Sequence, residues 1–527
     1  MQGSGLSSAS IWTVFDTECT ATTRQPVYDL KVAWTRVKDT SLDYAIVGTS
    51  IVGGTDIIDG QPATITAMDY FYYFDEAERA ISLTYERVRE EPLGGISYAM
   101  GDVMLDNVTN RFTFGVSDTI GTALKPRRPC KIFMGLRVLS QNKNLPVLYG
   151  LTDNMIEDKT TSRYSFQVYD YLNYINEYVL GSQEIYTNQR ADEIIADLLT
   201  TLGFNVNQYS LDEGLNVIGY AWFDKGTRAG DAIRRLCEAE EGHFYQDEHG
   251  VLRFENRRHY LVAPHTTSQW TINAEDILQW EEDRSVPIIN SCTVTSKPRS
   301  VQPTQEIWRD GIVEEINKGE AKEVWANFEN PCSDITAITV TTDYIANTKS
   351  DGSGTDISTK VSIAVDEFAT SAKLTITNNY GGIAYLTLLR LRGTPAVITS
   401  EIEQTYTDED SIEDYGTMEL KINNDFIDDD SFAYYMARAL VRKYKSQLRR
   451  IRITVPGLPQ LQIGDKVYVE DRDTSSSSYY RVMKIRTKMS PGQFVQTLTL
   501  REITSDEADT PAIVGTSLVD SLDVVWI

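Results

Sequence analysis

Leu461-Gln462-Ile463-Gly464-Asp465-Lys466-Val467-Tyr468-Val469-Glu470 reads as a short strand, a Gly-Asp turn and a second strand. Tyr480-Arg481-Val482-Met483-Lys484-Ile485 and Phe494-Val495-Gln496-Thr497-Leu498-Thr499-Leu500 alternate with period two and add two more strands. Ser490-Pro491-Gly492-Gln493 supplies the turn between them. Ahead of these strands the period is 3.6. Phe432, Met436, Ala439 and Leu440 draw one helical stripe behind Ser431, an expected N-cap. One helix followed by about four antiparallel strands predicts a small closed or nearly closed barrel at residues 431–503.

Working outward, residues 27–175 again read as strands and loops. Ala80-Ile81-Ser82-Leu83-Thr84-Tyr85 alternates, and Gly101-Asp102-Val103-Met104-Leu105-Asp106-Asn107 ends in a polar turn before Arg111-Phe112. Pro126 and Pro129 keep the following loop from extending a strand edge. Residues 189–202 and 227–241 are two helices with apolar faces, stopped by Gly203 and Gly242. A hairpin over residues 243–255 follows. Between residues 301 and 400, short strands separated by Asn, Asp, Gly and Ser loops suggest a β-sandwich.

Three of these stretches resemble one family. "Leu-x-Ile-Gly-Asp-x-Val-x-Val-Glu-Asp", "Tyr-Arg-Val-x-x-Ile" and "Gln-Thr-Leu-Thr-Leu-Arg-Glu" are similar to the last barrel of bacteriophage tail hub proteins, the baseplate or tail-tip hubs related to those of contractile injection systems. "Gly-Asp-Val-x-Leu-Asp-Asn-x-x-x-Arg-Phe", Pro126-Arg127-Arg128-Pro129 and Val147-Leu148-Tyr149-Gly150-Leu151-Thr152-Asp153 are similar to the family's first barrel. "Ala-Gly-Asp-Ala-Ile-Arg-x-Leu-Cys-Glu-Ala" and "Phe-Tyr-Gln-Asp-Glu-x-Gly" resemble its linker between barrels.

The expected fold is mainly β with a small α+β part: two hub-type antiparallel β-barrels, a helix-hairpin linker and an inserted β-sandwich. The expected division is an arm at 1–26, a first barrel at 27–180, a linker at 181–260, the first part of a second barrel at 261–300, the insertion at 301–400, the second barrel at 401–505 and a docking tail at 506–527. The resemblance implies a homotrimer whose six barrels form a ring that adapts sixfold to threefold symmetry. It implies tail tube, distal tail and tape measure proteins as partners, and a separate spike or fibre protein held below. It places the protein at the distal end of a virion tail, assembled in the host cytoplasm.

Bulk properties narrow the classes. At 527 residues, about three or four domains are expected. A net charge of -26 argues against a protein that grips nucleic acid by its phosphates, but suits a channel that genomic DNA passes without specific binding. Cys19, Cys130, Cys237, Cys292 and Cys332 form no CxxC pair, so reduced thiols are expected. No secretory signal and no apolar run long enough to span a membrane occurs, so no stable membrane insertion is expected.

Candidate chemistry is sparse. His243, His249, His259 and His265 lack HExxH spacing and read as surface or loop histidines, so no metal is assigned. Asp351-Gly352-Ser353-Gly354-Thr355-Asp356 has clustered oxygens suited to Ca²⁺ but lacks an EF-hand's closing Glu. Cys237 lies on a helix's apolar face and reads as core. The acidic runs at 281–283 and 428–430 read as solvated loops rather than a glycosidase pair. Neither catalytic residues nor a cofactor are assigned. The one basic run, Arg442, Lys443, Lys445, Arg449, Arg450 and Arg452, is expected to meet acidic neighbours across a subunit contact. Arg449 and Arg450, at a barrel rim, and Trp526 and Ile527, at an apolar terminus, are the candidate partner-docking residues. The competing expectation is a tail-associated protein that cleaves or binds glycan through carboxylates, Tyr or Trp in the sandwich.

Overall fold

The computed structural model describes residues 15, 19, 24–38, 69–115, 120–284, 286–471 and 477–503. Within these the chain is mainly β, with five helices. Thirteen strands form one sheet. Its path runs from Gln279–Asp283 through Arg450–Pro456, Gln493–Glu502 and Ser478–Ser490 to Ala80–Val88. It continues through Ala99–Asp106, Arg163–Tyr169, Gln141–Asp158, Pro129–Val138 and Pro26–Lys38 to Asp69–Asp75. Lys466–Val469 branches from Ser478–Ser490 and carries Trp270–Ile272 beside it.

The strands expected to make two separate barrels therefore share one sheet, and no ring of pairing closes among the described residues. The strand Ser478–Ser490 makes the join. Residues 478–481 pair with Lys466–Val469, whereas residues 484–489 pair with residues 83–88 of the first part. A register shift between Val482 and Lys484 separates the two stretches. Such an irregularity bends a strand and increases its twist, which lets one strand serve two partners in sequence.

One core runs under both parts. Trp34, Leu83, Phe166, Ile453, Val467 and Leu498 all belong to it. Alternation places these residues: Tyr164, Phe166 and Val168 are buried while Ser165 and Gln167 face out. The Leu-Asp-Asn turn has a local cause, because Asn107 Oδ1 accepts from the Phe112 amide at 2.8 Å and seats that ring in the core. Of residues 1–26, Phe15 and Cys19 are helical and buried, and Arg24 Nη1 donates to the Gly457 carbonyl at 3.1 Å. At these positions the segment packs on its own chain.

A second core gathers the helices α1 (Tyr171–Glu177), α2 (Ala191–Thr201) and α3 (Ala229–Glu240). It also takes up α5 (Asp430–Tyr444), which follows the short α4 (Glu409–Tyr415). Two expectations change here. The N-cap of α5 is Asp429, whose side chain accepts from the Phe432 amide at 2.6 Å, and not Ser431. The strand Ser291–Ser296, expected in the second barrel, lies between Ile402–Thr407 and Glu419–Asn423 in a sheet of its own. Phe432, Met436 and Leu440 do form one buried stripe, and that stripe completes the second core.

The hairpin His243–Gln246 and Leu252–Glu255 pairs in parallel with Gly95–Ser97, borrowed from within the first part, and with Tyr209–Leu211. Residues 299–398 form two sheets around a third core. The long strand Ala384–Ile398 pairs with five shorter ones, and Ser371–Asn378 is flanked by Ala321–Asn327 and Val361–Glu367.

Candidate functional site

The strand Ala80–Val88 points Tyr85 and Arg87 inward, and the chain beyond it adds Arg89 and Glu91. These residues enter the space where the hairpin and the second part meet. The 3₁₀ turn His259–Leu261 brings Tyr260 there, and the Gly464 turn approaches from the far side.

Tyr260 is the centre of this junction. Arg89, from the first part, stands 4.6 Å from its ring centre, and Arg481, from the second part, stands 4.2 Å away. Both contacts fit cation–π geometry, and burial strengthens them. The phenol donates a short hydrogen bond to Glu255 Oε2, which also accepts from Arg89 Nη1 at 3.0 Å. Tyr245 donates to the other oxygen of Glu255 at 2.7 Å. Gly464 has φ of 87°, and a Cβ there would lie 2.1 Å from the Tyr260 oxygen. Only glycine suits both the left-handed backbone and the close approach.

Further ion pairs surround it. Glu91 meets Arg501 at 3.0 Å and Lys443 at 3.5 Å. Burial alone would raise the Glu91 carboxyl, but the charges of Arg501, Lys443 and Arg89 outweigh it and hold it at about 2. Glu240 accepts from Arg257 at 3.0 Å, yet its burial dominates and pushes it up to about 7. Asp465 is likewise pushed up to about 7 by burial, with Glu248 and Glu255 adding to the effect. Gln246 ties three elements together: its amide donates to the Tyr149 carbonyl at 2.6 Å and accepts from the Tyr171 amide at 2.8 Å.

Of the four histidines, His249 lies exposed in a turn, as expected, and His243 departs from expectation. His243 is fully buried, 2.6 Å from Ser97 Oγ, and desolvation lowers its pKa so that it stays neutral. His259 stands 2.7 Å from Asp212 and its ring lies 4.6 Å from that of His265. Among the described residues no group of three or more His, Cys, Asp or Glu side chains is placed to hold a metal. All five cysteines are buried, and burial pushes the Cys237 thiol up, away from nucleophile chemistry.

Three of the sandwich carboxylates are engaged within the chain. Glu306 pairs with Arg309 and Arg390, Asp343 with both nitrogens of an Arg392 fork, and Glu314 with Lys322. Trp325 stacks on Phe368 at 5.9 Å and lies under Lys225 at 4.8 Å, while 41% of it stays exposed. In the Asp351 loop, Asn347 Nδ2 donates to the Gly352 and Gly354 carbonyls at 3.1 and 3.3 Å. An amide donor thus meets the oxygens that a cation would need.

Of the docking candidates, Arg449 lies 2.8 Å from Glu282 and 3.1 Å from Asp471, and beneath it is the Trp280 ring at 5.6 Å. Arg450 is half-buried at the start of Arg450–Pro456. Lys443, Lys445 and Arg452 also meet carboxylates of their own chain, Glu91, Asp408 and Glu281. Trp526 and Ile527 lie outside the described residues, as does the rest of the 506–527 tail. No helix among the described residues is long and apolar enough to cross a membrane.

No protein-family model matches the chain, and no curated protein does. Among solved structures, the chain is similar to the 43 kDa tail protein of prophage MuSo2 from Shewanella oneidensis. The TM-score is 0.45 at 10% identity, covering 84% of this chain and 97% of that one. It is similar to a tail protein from Neisseria meningitidis MC58, with TM-score 0.45, 8% identity, and coverage of 91% and 96%. The prophage tail protein gp18 from Listeria monocytogenes EGD-e matches with TM-score 0.38, 9% identity, and coverage of 83% and 92%.

Proposed function

We propose that the chain is a structural tail hub, a non-enzymatic protein at the distal end of a phage tail. Three copies form a ring in which each contributes two barrel-like β units, so that six similar units meet a sixfold tube above and threefold parts below. The ring closes the tube, touches distal tail and tape measure proteins, holds a spike or fibre protein, and lines the exit channel for DNA. The chain's excess of acid repels the phosphates there.

The observation that carries this reading is the joint between the two β units. They share the ladder between residues 83–88 and 484–489, and Tyr260 is clasped from both sides by Arg89 and Arg481. A subunit that sets two units at one angle in a ring needs such a joint. The ordered sequence signatures of a first barrel, a linker and a last barrel support the same reading.

Light scattering and negative-stain imaging of the purified chain test it. The expected result is a trimer forming a ring with a central hole. Monomers that also fail to form rings when mixed with tail tube protein would count against the hub. Residues 506–527 are expected to hold the spike or fibre, and deleting them should release that protein from tail tips.

A further inference from the structure

We propose that His259 is a proton-operated fastener: when protonated it ties the turn bearing Tyr260 to two carboxylates on separate elements, and when neutral it loosens that turn. The inference does not depend on the hub reading.

The geometry is specific. His259 Nδ1 lies 2.7 Å from Asp212 Oδ2, in the loop after Tyr209–Leu211. Its Nε2 lies 3.4 Å from Glu255 Oε1, on Leu252–Glu255. One imidazole thus faces two carboxylates, one per ring nitrogen: Asp212 at hydrogen-bond distance and Glu255 at ion-pair distance, and only the protonated ring carries the charge that attracts both. His259 and Tyr260 are adjacent in one turn, and their rings meet at 5.0 Å. What fixes His259 therefore fixes the ring that Arg89 and Arg481 clasp.

The other groups facing His259 are Arg89, from the first part, and His265, from its own segment. Arg89 opposes the imidazolium but is held by Glu255. His265 lies against His259, where desolvation and the neighbouring imidazolium both lower its pKa, so only one ring of the pair carries charge. For His259, burial disfavours the charged form, but the Asp212 hydrogen bond and the Glu255 charge outweigh it and raise the pKa. His259 is 24% exposed, so protons reach it from solvent.

Hydrogen exchange of the full chain at about pH 6 and about pH 8.5, corrected for intrinsic rates, tests this. Protection of residues 257–265 should fall roughly tenfold at the higher pH, the effect of losing about one net hydrogen bond. Residues 299–398 should not change. In His259→Gln the fall at residues 257–265 should shrink to that of residues 229–240, which carry the buried Glu240, with Asp465→Asn and His265→Gln keeping the excess at residues 257–265. Equal protection of residues 257–265 at both pH values in the wild type would overturn the proposal. An excess fall at residues 257–265 that survives His259→Gln, or disappears in Asp465→Asn or His265→Gln, would do the same. Should His259→Gln not fold, the place of the wild-type change decides: it must centre on residues 257–265 and 212–216.

Discussion

The guanidinium of Arg481 lies 4.2 Å from the centre of the Tyr260 ring, and the same arginine donates to the Gly464 carbonyl at 2.9 Å. One side chain of the second part thus holds both the aromatic keystone and the glycine turn that touches it. Gly464→Ala should lower stability by at least roughly 2 kcal/mol, because a methyl group meets the phenol and the backbone is left-handed. Denaturant unfolding measures it. A loss within about 0.5 kcal/mol would show that the turn relaxes freely.

Glu91 should be worth more than a surface acid. Glu91→Gln leaves Arg501, which is 1% exposed, without that carboxylate and should cost about 3–5 kcal/mol. The sign with pH follows from its depressed pKa. Its contribution is present above the ordinary carboxylate range and is lost as pH falls towards about 2. The variant should show a shallower loss of stability in acid than the parent.

On the alkaline side the sign reverses. Asp170, Glu240 and Asp465 are each pushed up to about 7, burial being the first cause in every case. Folding favours their protonated forms, so their contribution is full below the ordinary carboxylate range and is lost as pH rises through about 7. Stability measured in urea should fall between about pH 4.5 and about pH 7, by up to roughly 1.4 kcal/mol per pH unit per group, and level off above about pH 8. Asp170→Asn, which keeps an acceptor for the Ala99 amide, should flatten the slope. An unchanged slope would reject Asp170 as a contributor.

Gln246→Ala removes both hydrogen bonds that join the hairpin to Tyr149 and Tyr171. The buried Tyr171 amide and the part-buried Tyr149 carbonyl each lose this hydrogen bond, so a loss of about 2–4 kcal/mol is expected. Gln246→Glu should be nearly as harmful, since a carboxylate cannot donate to the Tyr149 carbonyl. Thermal unfolding of both variants distinguishes donor loss from simple loss of packing.

Local features were legible in the sequence. The period-two strands, the helices near residues 191–201 and 229–240, and the turn behind Leu105-Asp106-Asn107 all follow from patterns spanning a few residues. Pairing partners were less so. Alternation tells which face of Ser291–Ser296 is buried, but not that Ile402–Thr407 lies beside it. The helix cap was misplaced by two residues because Ser431 and Asp429 are both good acceptors, and only the backbone decides which amide is in reach. The junction was invisible for a related reason. Arg89 and Tyr260 are 171 residues apart, and no short motif links them. One signal was present: all four histidines fall within residues 243–265, which is where the buried polar network forms.

The strand Ser478–Ser490 has a mechanical consequence. Its later half is laced to residues 83–88 of the first part, while its earlier half and its other edge stay with the second. A force drawing the two parts past each other along that strand loads the whole ladder in shear, so its hydrogen bonds share the strain and must fail together. A force peeling the parts open loads them one at a time from an end. The chain is therefore built to be stiff to sliding and weaker to prying, and Glu91, Arg501 and the clasped Tyr260 reinforce the Val88 end of that ladder.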